Sequence, residues 1–476
     1  MPAPDALPLE IWYRIIKLGK FSDRDSRPML AVAPRTARNM HDAAFSTIFQ
    51  SLYIGFSEGT DPNKLASKLS SYLDSLPLRS TTRYLRVDIS TERWVDADGP
   101  DPWIESQIKV HLPPKLEDLI CDVLSALPNI TELNCRYEFE SPLDLRTANT
   151  LQYLSLEHCQ FYHPEDGPSI ISDAKIQTLT LHIEDVGSDN SPRGPRQAPT
   201  RPTNIFSRLN LSSLATLYLR LHFPSQQDLS YLLTGSLSND SPGLGVNLQS
   251  LLLCDIGVNV AIALSNACYF PSLRLCYLEC PTHHGTRHFV RPLCLFLKRQ
   301  VSLERLECKF SQYDMPSYEA VQCVEDVVNI LYCLKDLKYL KLTGCAFSLG
   351  HPVLRMAPLP QLQVLSIRST TTAPLTEIAG TLVEKLQSYP SLRSFLWHVL
   401  MNTTIGSDHE RRNFVKTLKD TSRIEFVQVA STTFWLRNED GPEPRRILSG
   451  KPDQGYEDLE EMYRYRTYWG DYLFCY

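Results

Sequence analysis

The chain has 476 residues, of which 43% are hydrophobic and 21% charged, a composition typical of a soluble globular protein with a large buried core. Its formal net charge is -6 and it contains no long basic run, so it lacks the strong positive field on which nucleic-acid binding depends. Nucleic acid is therefore not an expected partner.

The first residues, MPAPDALPLEIWYRII, do not have the pattern of a secretory signal. They carry Asp5 and Glu10 where a basic start is required, and no small-residue cleavage site follows an apolar run. The most apolar stretch, residues 248–270, is interrupted by Asp255 and two asparagines, so a membrane span is not expected. Thirteen cysteines without a secretory signal predict reduced thiols and a cytoplasmic or nuclear location.

The N-terminal region predicts a small helical module. Residues 7–18, LPLEIWYRIIKL, predict an amphipathic helix, because Ile11 and Ile15 recur at helical spacing on one face. A polar break then precedes the apolar MLAVA, and further apolar residues at helical spacing follow it. The sequence SLYIGF has the character of a strand. Residues 1–54 therefore predict two or three short helices that lead into a strand.

The order of these features resembles the F-box, a family of small helical modules that begin LPxEI, as LPLEI does here. The segment FSTIFQSLYI resembles the end of the divergent fungal form, which leads straight into a repeat domain. The resemblance implies binding to the Skp adaptor of a cullin-RING ubiquitin ligase. The alternative is that these helices only cap the first repeat. The residues that the resemblance implies for adaptor binding are Leu7, Pro8, Glu10, Ile11, Ile15 and Leu30.

One short phrase recurs through most of the chain, at intervals of roughly 21 to 48 residues. The two clearest copies are LQYLSLEHC and LKYLKLTGC, and about twelve can be counted. The apolar residues at positions 1, 4 and 6 of the phrase predict a short strand with one face in a shared core, while the residues between them point outward. The copies begin at Thr82, Ile130, Leu151, Ile176, Leu214, Leu248, Leu273, Leu303, Leu337, Leu362, Leu392 and Ile424.

The phrase resembles the leucine-rich repeat, whose consensus continues to Asn or Cys at position 9. Cys159 and Cys345 occupy that position in the two clearest copies. The resemblance implies an α/β fold, an irregular horseshoe-shaped solenoid whose stacked repeats form a parallel sheet. The segments between strands predict helices on the convex side, from apolar spacing such as that of Ile378, Leu382 and Leu386. The leucines expected to be buried are Leu151, Leu154, Leu156, Leu337, Leu340 and Leu342.

The repeats are expected over residues 55–430, with a tail or cap over residues 431–476. Residues 187–204 contain four prolines and almost no apolar residue, so they predict a disordered loop within the solenoid. The arginines of that loop are either a docking site or part of a solvated insertion. The chain ends EMYRYRTYWGDYLFCY, and these aromatic residues either bind a partner or cover the open end of the last repeat.

No catalytic, metal or cofactor site is predicted. The sequence contains no GxSxG, HExxH, P-loop or GxGxxG pattern. Two cysteines and three histidines lie between Cys276 and His288, but Cys276 falls on a core position of its repeat, which favours packing over zinc. DADGPD at residues 96–101 lacks the later Glu of a calcium loop and predicts a turn. The adjacent residues Ser407 to Glu410 do not by themselves define a catalytic triad.

The outward positions of the predicted strands carry aromatic residues and charges of both signs, which suits a protein ligand. Basic residues outnumber glutamates there, so an acidic or phosphorylated segment is favoured unless the glutamates neutralise their neighbours across the sheet. The expected function is that of a substrate-recognition subunit of an SCF-type ubiquitin ligase, or alternatively of a protein-binding repeat scaffold unrelated to ubiquitin. The candidate partner-binding residues are Tyr218, Arg220, Tyr277, Glu279, Arg305, Glu307, Lys309, Tyr339, Lys341 and Arg368.

Overall fold

The fold comes from a computed structural model, and its described residues form two compact units with a boundary between Leu273 and Arg274. The predicted F-box helices, with all six adaptor-binding residues, and the predicted loop at 187–204 lie outside the described residues. The described residues are 50–56, 60–89, 112–136, 143–159, 170–184, 209–210, 212–222, 247–254, 261–262, 264–265, 269–280, 287–310, 317–343, 351–369, 375–399, 407–421, 423–429, 432–436 and 445–447.

The first unit is built on parallel strands that follow one another in the chain. Strands β1, β2, β3, β5, β7, β9 and β10 pair in that order, and the short strands β4, β6 and β8 form a second parallel ladder. The strands are β1 (Ser51–Phe56), β2 (Tyr84–Ile89), β3 (Glu132–Arg136), β4 (Leu143–Asp144), β5 (Tyr153–Cys159), β6 (Ile170–Lys175), β7 (Thr178–Glu184), β8 (Leu209–Asn210), β9 (Thr216–His222) and β10 (Ser250–Cys254).

Helices fill the first connections of this unit. They are α1 (Pro62–Asp74) and α2 (Leu76–Thr81), between β1 and β2, and α3 (Pro114–Ser125), between β2 and β3. Helix α1 begins where it does because Asp61 caps it: the carboxylate accepts hydrogen bonds from the backbone N–H groups of Asn63 at 2.9 Å and Lys64 at 3.3 Å. Strand β1 is the predicted SLYIGF strand, which is thus confirmed.

The second unit repeats a strand-helix alternation. Strands β11 to β16 are parallel and pair in chain order, and β17 and β18 extend the sheet with antiparallel pairing. The strands are β11 (Leu275–Cys280), β12 (Arg305–Phe310), β13 (Tyr339–Thr343), β14 (Val364–Ser369), β15 (Ser394–Val399), β16 (Phe426–Val429), β17 (Thr432–Trp435) and β18 (Arg445–Ile447). The helices between them are α4 (Arg287–Lys298), α5 (Ser317–Val328), α6 (Pro352–Arg355), α7 (Leu375–Gln387) and α8 (Asp408–Thr421), with a 3-10 turn at Leu331–Cys333.

The repeat prediction is confirmed at each of the twelve phrases. Positions 3 to 6 of every copy lie in a parallel strand, and within each unit the matching positions of neighbouring copies are register partners, as Leu306 and Leu340 are. A regular backbone pattern joins the copies: the carbonyl of Glu304 accepts from the N–H groups of Lys338 at 2.8 Å and Tyr339 at 3.0 Å, and the other copies of this unit repeat the arrangement.

The core of each unit lies between the inner strand face and the segments that return behind it. The six predicted leucines are all buried, three in each unit, which confirms that prediction. The predicted helices before β13 and β15 are confirmed as α5 and α7, and Ile378, Leu382 and Leu386 are buried as expected. Burying such a side chain contributes about 1.5 to 3 kcal/mol, so stability accumulates repeat by repeat.

Two strands extend the sheet into the segment predicted as a tail or cap. Strands β17 and β18 both lie within residues 431–476, and β17 pairs with β16 from Phe426↔Trp435 to Val429↔Thr432.

Among the described residues, no helix combines the length and the apolar character needed to cross a bilayer.

Candidate protein-binding surface

The outward positions of the second unit form three rows across the sheet, because the strands are parallel and in register. From β11 to β15, the first row runs Leu275, Arg305, Tyr339, Val364, Ser394; the second Tyr277, Glu307, Lys341, Ser366, Leu396; and the third Glu279, Lys309, Thr343, Arg368, His398. With neighbouring strands about 4.8 Å apart, β11 to β14 span roughly 14 Å. The sequence analysis predicted this juxtaposition, and the register confirms it for the predicted residues from Tyr277 to Arg368.

A buried carboxylate lies at the centre of this face. Glu307 is only 8% exposed and contacts cations on its own strand and on the next one. Arg305 donates to its Oε1 through Nε at 3.0 Å and also through Nη2, and Lys341 Nζ donates to its Oε2 at 3.3 Å. One carboxylate therefore joins two cations that are themselves almost buried.

A second carboxylate connects β11 to β12. Lys309 Nζ pairs with Glu279 Oε1, and the Tyr277 hydroxyl donates to Glu279 Oε2 at 2.9 Å. We call Glu279, Arg305, Glu307, Lys309 and Lys341 the charged cluster. Its three cations and two carboxylates leave a net charge of +1. The glutamates thus neutralise most of the positive charge of their neighbours, which was the alternative to a strongly basic strip.

An apolar cluster, Tyr339, Val364 and Leu396, lies beside these charges on the same outward face. The three side chains are 2%, 6% and 8% exposed, respectively. The guanidinium of Arg305 stacks over the Tyr339 ring, 4.3 Å from its centroid, and so links this cluster to the charged one. The strand face of this unit therefore combines an ion network with an adjoining apolar strip.

Two members of the apolar cluster were missed by the sequence analysis. Val364 and Leu396 hold outward positions in the phrases LQVLSI and LRSFLW, where most other copies carry a polar or charged residue. An apolar residue at such a position was the available signal. Tyr339 was predicted as a partner-binding residue, and it has an outward position but is closed to solvent in this structure.

The remaining predicted partner-binding residues are less fully described. Tyr218 lies on β9 in the first unit and is half-buried. Arg220 follows it on the same strand and Arg368 lies on β14, but their side chains fall outside the described residues. The six adaptor-binding residues predicted between Leu7 and Leu30 fall outside them as well.

The polar segment around Ser407 is a helix cap. The Ser407 hydroxyl accepts from the backbone N–H of Glu410 at 3.2 Å, and the Glu410 carboxylate reaches back to the N–H of Ser407. This reciprocal pair is a capping box, which satisfies two backbone donors at the start of α8. The sequence carried the signal, since SDHE matches the S-x-x-E pattern that precedes a helix.

Burial shifts the pKa of several titratable groups among the described residues. Burial raises the pKa of the Cys121 and Cys294 thiols to about 12 and raises that of Cys276 further, so these thiols stay protonated. Burial, with a smaller contribution from Arg355, lowers the pKa of His351 to about 3. The His351 ring is neutral and its Nδ1 accepts from the backbone N–H of Val353 at 3.2 Å, which caps α6.

The cysteine and histidine cluster considered for zinc is only partly described. Cys276 is fully buried in the core of its strand, as its repeat position predicted. His283 and His284, with the side chains of Cys280 and His288, lie outside the described residues. Within the described residues, no group of three or more His, Cys, Asp or Glu side chains is arranged to hold a metal ion.

Comparison with known proteins gives no family assignment. No protein-family model matches the chain, and no curated protein does either. Among solved structures, the chain is similar to an internalin, InlF, from Listeria monocytogenes, with 12% identity, a TM-score of 0.34, and coverage of 90% of this chain and 89% of that one. It is also similar to the functional domain of InlJ from the same organism, with 13% identity, a TM-score of 0.23, and coverage of 81% and 68%.

Proposed function

We propose that the protein is a protein-binding repeat scaffold that holds its partner on the strand face of β11 to β14. The observation that carries the proposal is the charged cluster, in which both charge signs alternate over in-register strands beside an aromatic residue, Tyr277. A net charge of +1 is too small for a polyanion site, whereas paired charges with aromatic residues are typical of protein interfaces.

Charge reversal on this face tests the proposal. In a Lys309→Glu, Lys341→Glu protein, cations that contact Glu279 and Glu307 become carboxylates, so a partner fitted to the original pattern meets repulsion. The measurement is affinity capture of bound proteins from the native cells, with folding checked by circular dichroism. The matched control is Lys335→Glu with Lys416→Glu, which makes the same charge change at exposed positions off this face.

The expected result is loss of the main bound proteins in the face variant and their retention in the control. Because Lys341 is almost buried, a milder variant, Tyr277→Ala with Lys309→Glu, serves as a second version. A partner list that is unchanged in a folded face variant contradicts the proposal.

We further propose that this scaffold is the substrate receptor of an SCF-type ubiquitin ligase. The supporting observation is the LPLEI opening at residues 7–11, with its resemblance to the F-box. The position of β1 also supports it, since SLYIGF pairs directly with the first repeat strand, as expected where an F-box leads into repeats. In this role the N-terminal helices bind the Skp adaptor and, through it, a cullin, while the strand face presents the substrate.

The adaptor proposal is tested at Ile11. Replacing an apolar anchor with a charge, Ile11→Asp, should cost about 2 kcal/mol or more, which is over tenfold in affinity for the adaptor. The control is Ile11→Leu, which keeps the side chain apolar and should leave binding nearly unchanged. Co-purification of the adaptor and cullin with the tagged protein is the measurement. An Ile11→Asp protein that is folded and still captures both refutes the ligase role and leaves the scaffold proposal standing.

A further inference from the structure

One carboxylate on the described strand face of the first unit has no cation beside it. Four acidic side chains are described at outward positions on the strands of the two units. Asp88 pairs with Arg86 at 3.1 Å, and the charged cluster holds Glu279 and Glu307. The fourth, Glu132 on β3, forms no ion pair and no side-chain hydrogen bond with any described residue. Its half-buried carboxylate is therefore without a counter-ion in the described part of the chain.

Two tyrosines flank this carboxylate. Tyr84 on β2, Glu132 on β3 and Tyr153 on β5 hold position 3 of three consecutive repeats and are register partners. Their side chains thus stand next to one another on the outward face, one strand spacing or about 4.8 Å apart. The next outward residue along β3 is Asn134, whose Oδ1 is buried and accepts no hydrogen bond. A carboxylate and an amide oxygen, both acceptors, are consequently neighbours on one strand without a donor.

The second unit contains the same kinds of side chain, but there they are satisfied internally. The guanidinium of Arg305 stacks over the Tyr339 ring at 4.3 Å and donates to Glu307. The first unit presents tyrosines and a glutamate without the arginine. Burial alone raises the pKa of the Glu132 carboxylate above its ordinary value. An acid in this state destabilises the free protein, because its charge has lost part of its hydration and has gained no partner.

We propose that Tyr84, Glu132 and Tyr153 form a binding site for an arginine side chain of a partner protein. A guanidinium has several N–H donors in one plane, which suffice for the Glu132 carboxylate and for the Asn134 oxygen beside it. Its flat faces stack on tyrosine rings, whereas the compact ammonium group of lysine has no such face. We call these four residues the arginine site. That its ligand belongs to a protein rests on the proposed function, to which the site adds a second point of contact.

Peptide selection on the full-length protein tests the arginine site. The probe is a random heptapeptide library displayed on phage, and it is applied to the wild-type chain, to Glu132→Gln and to Asp118→Asn. The Asp118→Asn control makes the same charge change at an exposed position on α3 of the same unit. Arginine should be enriched severalfold among the peptides that the wild type and the control retain, relative to those that Glu132→Gln retains.

A selected peptide then tests the chemistry of recognition. Replacing its arginine with citrulline keeps the shape and removes the charge, so binding to the wild type should weaken about tenfold, and binding to Glu132→Gln by less than about twofold. Replacing it with lysine keeps the charge but not the planar group, and should weaken binding severalfold. Selection without arginine enrichment, equal enrichment on Glu132→Gln, or equal binding of the lysine peptide overturns the proposal.

Hydrogen exchange of the protein alone separates a binding role from a structural one. Because Glu132 has no described partner to lose, Glu132→Gln should leave exchange in peptides that contain β3 unchanged or slower. A structural ion pair predicts exchange that is severalfold faster, and that result overturns the proposal as well. The face of β11 to β14 is tested independently at Lys309 and Lys341, so failure of the arginine site leaves the scaffold proposal standing.

Discussion

The charged cluster predicts that removing the charge of Glu307 lowers the free energy of unfolding by an unusually large amount. Glu307→Gln keeps the size of the side chain and one carbonyl oxygen but removes the charge that joins Arg305 to Lys341. The side chains of Glu307, Arg305 and Lys341 are 10%, 13% and 15% exposed, so the two cations lose the Glu307 carboxylate in a site that little solvent reaches. Breaking a buried pair in this way costs about 3 to 5 kcal/mol, and we expect about 3 kcal/mol here because some solvent reaches the lysine.

The chain offers a matched control at Glu304, the residue directly before β12. Glu304 also joins two cations, with Lys338 Nζ at 2.9 Å and Arg274 Nη1 at 3.4 Å from its carboxylate oxygens. Its side chain is 33% exposed and its partners are 44% and 68% exposed, so water screens these pairs. Glu304→Gln should therefore cost about 1 kcal/mol or less.

Native-state hydrogen exchange is the assay, because it reports the stability of each unit separately. The midpoint of a global unfolding curve would average the stabilities of two units that need not unfold together. Exchange is followed in peptides that contain β12 and β13. A loss of about 3 kcal/mol raises the exchange rate more than a hundredfold, whereas the Glu304 control changes it by roughly fivefold at most. Equal and small changes in the two variants would refute the buried network at Glu307.

Two further predictions concern the core and the dependence of stability on pH. Leu340→Ala should lower the free energy of unfolding by about 2 to 5 kcal/mol, because this fully buried side chain leaves a cavity, while Lys335→Ala on the surface should change it by less than about 0.5 kcal/mol. Since the pKa of His351 falls from 6.5 in the unfolded chain to about 3, the unfolded state binds the extra proton and stability is lost as the pH drops below 6.5. Between pH 7 and pH 5 the chain should lose about 2 kcal/mol more than His351→Asn does, and equal pH profiles would contradict this assignment.

The strands and the helices of the repeats could be predicted because their periodicity is local. Positions 1, 4 and 6 are buried in all twelve copies, and they are apolar in every copy except at position 1 of the first, which is Thr82. The apolar spacing around Ile378 similarly fixed the helix before β15.

The burial of the outer face could not be predicted in the same way. Tyr339 is closed to solvent although its position on the strand is outward, and the repeat pattern assigns only its direction. The antiparallel strands β17 and β18 were also missed. Strand β17, Thr432–Trp435, is too short to show alternation and is not a copy of the repeated phrase. The contacts of Glu279 and Glu307 were left as one of two alternatives, since register alone does not determine which charges meet.

The most direct test of the central claim is site-specific photo-cross-linking of the protein in its native cells. The claim is that the strand face of β11 to β14 holds a protein partner. A Tyr277→p-benzoylphenylalanine chain places the probe on that face, and a Tyr332→p-benzoylphenylalanine chain places it at an exposed position in the connection between α5 and β13. We predict a covalent adduct with a partner protein from position 277 and none from position 332. Adducts that form from position 332 alone would contradict the account.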